Sequence, residues 1–259
     1  MKKTLIALAV AASAAVSGSA MAWTASGIGG TVDLGGTLTP DTSANPWEVF
    51  VGSAVNGLDA TIPAGSTSVN ITLTNAIPLL GVRTVKAQEF SGATGIAPQI
   101  SFGQNSIDAT KFVDSVTPFT ADVMDANNGT KVGVLTGNLL AGAMLQTNYW
   151  NNIAAMYASS AGNGFYGGIP TEAAKVLPAK TLAPRLNALN AEFSANFVSN
   201  SKTPRDDAGS TRFSDVSSQY SAYYGAGFEQ GSSLNIKLTQ STNQAVVWKA
   251  SLPVTVSYQ

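Results

Sequence analysis

Apolar and polar residues alternate with a period of two along much of this chain. In SVNITLT (68–74) the apolar positions are Val69, Ile71 and Leu73, and in SLNIKLTQ (233–240) they are Leu234, Ile236 and Leu238. TKVGVLTG (130–137) follows Asn127-Asn128-Gly129, a hairpin turn signal. The longest run is the last: Val246, Trp248, Ala250, Leu252, Val254, Val256 and Tyr258 are apolar or aromatic at every second position. Such a strand is expected to bury one whole face. Pro253, on the other parity, removes a ladder donor, so one side of that strand is not an ordinary interior pairing. Repeated period-two runs separated by turns predict an antiparallel sandwich or barrel.

The middle of the chain departs from this period. Leu145, Tyr149, Ile153 and Met156 are spaced 4, 4 and 3, which suits a helix. Leu182, Leu186, Leu189, Phe193 and Phe197 form a second helical stripe, with Pro184 expected in its first turn. Residues 141–200 therefore read as a helical insertion within a β domain. Residues 201–212 (SKTPRDDAGSTR) read as an exposed loop leading back into strands.

The first 22 residues stand apart. Lys2 and Lys3, a short apolar stretch and Ala20-Met21-Ala22 have the pattern of a cleaved secretory leader, too short to span a membrane. The mature chain would start at Trp23. Of the 14 basic residues, 12 remain after Lys2 and Lys3 leave, against 15 acidic ones, a net charge of −3. With only 11% charged residues, the chain has no electrostatic footprint for nucleic acid and no basic segment for a membrane surface. It has no cysteine, so an exported fold must rely on its core or on a partner. It has no histidine, which removes Ser-His and Cys-His catalysis and imidazole metal sites together.

Candidate chemistry is correspondingly thin. GIGGTVDLGG lacks the lysine and following helix of a phosphate loop, and DANNGT lacks the closing glutamate of a calcium loop. Asp206 and Asp207 are adjacent in a polar loop and read as solvated charges, not as paired catalytic carboxylates. No catalytic residue, metal site or cofactor is expected. Aromatic residues offer more. Tyr149, Trp150, Phe165 and Tyr166, together with Tyr157, Tyr220, Tyr223 and Tyr224, could stack on sugar rings, or could pack the insertion onto the sheet.

The two ends of the mature chain are best read together. Ile28, Gly30, Val32, Leu34, Gly36 and Leu38 share one parity in a front strand that cannot be stable alone. An exposed apolar edge elsewhere would aggregate. Both difficulties vanish if the front strand of one copy completes the sheet of the next, a form of β-augmentation. Pairing of residues 28–38 within their own chain is the alternative. The ending VTVSYQ, with Val254, Val256 and Tyr258, resembles that of subunits handled by periplasmic chaperones. An outer-membrane barrel would more typically end on an aromatic residue, whereas Gln259 is last here.

Several strings in order along the mature chain resemble the FaeG-like family of fimbrial subunits of the chaperone–usher pathway. WTASGIGGTVDLGGTLT is similar to the family's donor segment, and PLLGVRT, IAPQISF and NGTKVG to its early strands. FYGG (165–168) lies within its insertion, and LPVTVSY is similar to its last strand. The resemblance implies an all-β, incomplete immunoglobulin-like sandwich (41–259) with a small helical insertion, completed by a donor segment within residues 23–40. It implies donor residues Ile28, Gly30, Val32 and Leu34, a homopolymer, a chaperone and an usher as partners, and a cell-surface fimbrium. It also implies adhesion to host glycans through the insertion, although no receptor residue outside FYGG is carried by the match. A minor non-adhesive subunit and a secreted monomeric carbohydrate-binding module are the alternative readings.

Overall fold

The computed structural model describes Gly36 and residues 45–259, and the account below concerns the unit Asp41–Gln259. The expected leader and the expected donor residues Ile28, Gly30, Val32 and Leu34 lie outside the described residues. The strands are β1 (Trp47–Val51), β2 (Ser68–Thr72), β3 (Ile77–Thr84), β4 (Phe90–Ser91), β5 (Pro98–Phe102), β6 (Val116–Asp125), β7 (Lys131–Thr147) and β8 (Asn152–Ala155). After the single α-helix among the described residues, α1 (Ala179–Leu189), come β9 (Thr203–Pro204), β10 (Gln219–Phe228), β11 (Ser233–Leu238), β12 (Trp248–Ala250) and β13 (Val254–Tyr258).

The 17-residue β7 is the pivot of the architecture. Its first half pairs with β6 across the predicted Asn127–Gly129 turn, where Gly129 takes φ +72° and Asp125 Oδ1 accepts from the Asn127 N–H at 2.8 Å. Residues Gly133–Thr136 of the same half also pair with β11. The second half pairs with β10, which continues through β3 to β1, giving the order β1-β3-β10-β7-β11-β2. A separate pair, β5 and β13, packs against the inner face of this sheet. The result is an all-β, immunoglobulin-like sandwich.

One end of the sandwich is closed by aromatic residues. The Trp47 indole N–H donates to Ile96 O at 2.7 Å, and its ring meets Phe90, Phe165 and Phe213 edge-on at 5.0–5.5 Å. Tyr224 stacks on Phe165 at 5.7 Å, and both are fully buried.

The outer face of the β3-β10-β7 sheet is covered by the insertion. Gly81, Gly225 and Gly142 are cross-strand neighbours, and their missing side chains leave a shallow trough in the sheet. The Phe193 ring lies over Gly81 and Gly225, and Leu182 lies over Gly142, where an added Cβ would be 2.7 Å from a leucine methyl. Leu182, Leu186 and Leu189 of α1 and the following Phe193 are buried as the stripe predicts, whereas Phe197 is half-buried. Because the trough is filled, β10 and the part of β7 from Leu139 onward are buried on both faces.

Three expectations are corrected. Residues 145–156 are not a helix: β7 runs through Thr147, turns, and returns as β8. With both faces covered, β7 reads as a near-continuous apolar run, in which period cannot separate strand from helix. Pro184 lies sixth in α1, not in the first turn, because the helix begins at Ala179 after Pro178. Its ring removes the bond to the Lys180 carbonyl. The final run is not one strand with a buried face. It breaks at residues 251–253, β12 pairing with β6 and β13 with β5, and its alternating apolar residues are only half-buried. The reason lies beside it.

Candidate functional site

A groove of about 830 Å³ runs along the side of the sandwich. Its floor is apolar, formed by Ile71, Phe119, Ala121, Leu135, Phe228 and Ile236. These side chains project inward from β2, β6, β7, β10 and β11 because each strand alternates in the same register. One wall is the final run, presenting Val246, Trp248, Ala250, Leu252 and Val254; the other is residues 51–62. Among the described residues, Asp59 and Lys249 are the only charged members of the lining, and both are exposed.

The backbone of both walls is open. Among the described residues, β12 and β13 each pair along one edge alone. After Gly52, whose N–H donates to Leu79 O at 2.9 Å, residues 53–62 make no backbone hydrogen bond to any described residue. An apolar floor between two such backbone edges has the shape and polarity of a slot for one extended strand, whose side chains on one parity would face down. Val254, Val256 and Tyr258 sit on β13 with their side chains half-buried against the core and β5 as their partner strand.

The aromatic set disperses. Phe165, expected as a ligand contact, has 0% exposure and faces the core; its backbone takes φ +63° in the FYGG turn, and its N–H donates to Pro98 O at 2.6 Å. Tyr220, Tyr223 and Tyr224 are buried, and burial pushes the hydroxyls of Tyr223 and Tyr224 well above the ordinary tyrosine range. Tyr157 and Tyr166 are half-buried, and Tyr166 accepts the Ile100 N–H through its backbone carbonyl at 2.8 Å. Tyr149 alone stands out, at 75% exposure. Its neighbour Trp150 is half-buried, with the Arg205 guanidinium 4.2 Å over its ring and Gly209 against the indole. The structure thus keeps Tyr149 and Trp150 together at the surface and sends Phe165 to the interior. Asp206 and Asp207 are exposed and pair separately, with Lys180 at 2.8 Å and Arg205 at 3.3 Å.

The groove was only half legible in the sequence. The final run showed one wall, but nothing in residues 51–62 signalled the other, since VGSAVNGLDATI has no sustained alternation.

An immunoglobulin-like sandwich left open over its core defines a protein that presents its interior along one side. The sequence profile of the family described as fimbrial major and minor subunits matches residues 1–259, and the chain belongs to that family. It is 30% identical to K88 fimbrial protein AC and 31% identical to K88 fimbrial protein AB, both of Escherichia coli, over the full length of each chain. It is 28% identical to the F41 fimbrial protein of Escherichia coli, again over the whole of both chains. The protein is a structural subunit of a fimbrium, exported and carried at the cell surface.

Proposed function

We propose that the subunit polymerises by donor-strand exchange, with Ile28, Gly30, Val32 and Leu34 of one copy inserted into the groove of the next. The observation that carries this reading is the apolar groove lying between backbone edges that have no partner among the described residues. Ile28, Val32 and Leu34 share one parity, the arrangement such a groove would accept, and Gly30 between them would allow close backbone approach. Each of the three larger side chains contributes about 1.5–3 kcal/mol on burial, before the ordering of the segment is set against it. Before assembly, a periplasmic chaperone would hold the same groove, using the edge that carries Val254, Val256 and Tyr258. An outer-membrane usher would then exchange the lent strand for the next subunit's own.

Replacing Val32 by Asp tests this. The carboxylate cannot be buried unpaired, so polymer should be lost while the chaperone complex persists. A second variant carries residues 23–38 fused after Gln259 through a flexible linker and lacks them at the front; it should be a stable monomer. Normal polymer from the Val32→Asp chain overturns the reading. Adhesion to a host glycan is supported by one feature, the exposed Tyr149 beside the Arg205-stacked Trp150. Its test is glycan-array binding by the intact fimbria with and without Tyr149→Ala.

A further inference from the structure

We infer that Asn56–Gly57, on the mouth of the groove, is a site of spontaneous deamidation, set apart by the fold from the two other Asn–Gly pairs of the chain. The three pairs, Asn56–Gly57, Asn128–Gly129 and Asn163–Gly164, have the same local chemistry. In each, the glycine nitrogen can attack the asparagine Cγ. A C–N bond closes a five-membered succinimide, the Cγ–Nδ2 bond breaks, and the nitrogen leaves as ammonia with the proton lost by the amide. Water then opens the ring at either carbonyl, leaving aspartate or isoaspartate. The attack needs a free N–H and a side chain able to swing onto it.

The fold denies both at two of the pairs. Gly129 N–H donates to Asp125 O at 2.8 Å, while Asn128 Oδ1 accepts from Thr130 N at 2.9 Å and from its hydroxyl at 2.7 Å. Gly164 N–H donates to Thr211 O at 2.8 Å, and Asn163 Oδ1 accepts from Ser160 N and Oγ, each at 3.1 Å. Asn56 and Gly57 are exposed, and among the described residues neither the Asn56 side chain nor the Gly57 N–H has a hydrogen-bond partner. Gly57 has φ +76° and open space where a Cβ would stand. Nothing in the described fold holds this pair away from the reacting geometry.

The position gives the reaction a consequence. Asn56 and Gly57 line the groove, so deamidation adds a negative charge beside Asp59, and isoaspartate inserts an extra backbone atom into that wall.

The test follows ammonia loss at each site in the purified mature chain by proteolysis and mass spectrometry, at mildly alkaline pH, folded and in urea. In urea the three sites should react at similar rates. In the unassembled folded fraction, Asn128 and Asn163 should slow about tenfold or more, the cost of breaking the bonds that restrain them, while Asn56 keeps its unfolded rate. Asn56→Gln should remove that signal alone. Slowing of Asn56 as strong as at the other two sites overturns the inference. The polymer fraction supplies one further arm, which rests on the donor-strand reading: strand insertion should protect Asn56. Equal rates in polymer and unassembled fractions would refute that coverage and leave the site assignment intact.

Discussion

The trough formed by Gly81, Gly142 and Gly225 makes a prediction about a contact that no single substitution can establish. Phe193 is 2% exposed, and its ring occupies the space a methyl group on Gly225 would need. Gly225 is held between β3 and β7, so the backbone cannot yield and the ring must lift. Gly225→Ala should therefore destabilise by about 1–3 kcal/mol through overpacking, even though alanine is the better strand residue by roughly 0.5–1 kcal/mol. Phe193→Ala should cost about 3–5 kcal/mol, the range for emptying a buried aromatic site. With the ring gone, the methyl of the double variant falls into vacated space, so the double variant should be more stable than the sum of the two by about 1–3 kcal/mol. Urea unfolding of the mature chain, followed by far-ultraviolet circular dichroism with the denaturant slope checked for constancy, measures the cycle. Additivity within about 0.5 kcal/mol would refute the argument, because residues in contact do not behave independently.

Other consequences are simpler. Arg185 grips Glu229 through Nε and Nη2 at 2.8 and 2.6 Å with both side chains about one-third exposed, so Glu229→Gln should cost about 1 kcal/mol or less, shrinking further in high salt. Asp215 accepts from the Ser217 and Ser218 hydroxyls and the Ser217 N–H, which hold its carboxyl below the ordinary 3.8. Its folded-state value is depressed, so its contribution is present above that ordinary value and lost as pH falls through the folded one. Asp215→Asn should flatten the acid limb of a thermal-stability profile. Removing the guanidinium with Arg205→Ala should shift Trp150 emission in the Trp23, Trp47 and Trp248→Phe background.

Local periodicity was a sound guide wherever one face of a strand meets the core and the other meets water. β2, β11 and the β6–β7 hairpin were legible for that reason, and Asn128-Gly129 located the turn between the last two. The α1 stripe of Leu182, Leu186 and Leu189 was legible because a single face of that helix is buried. Failure came where this asymmetry is lost. β7 beyond Leu139 is covered on both sides, and β8 is too short for any period to register, so the two together imitated helical spacing. The aromatic set failed differently: Tyr149 and Phe165 are alike in a sequence, and only the cluster with Trp47, Phe213 and Tyr224 sends one of them inward.

Residue types and near neighbours along the chain were enough to establish the absence of histidine and cysteine chemistry, the period-two strands and the family. That the final run divides at residues 251–253 between two partners, with its apolar face left half-open, came from the fold alone. The same holds for the second wall of the groove, which comes from residues 51–62 without any sequence signal. A groove is a relation between segments almost two hundred residues apart in sequence, Val51 to Ile62 against Val246 to Val254. Burial at either wall depends on what faces it across that gap, and no local pattern carries that information.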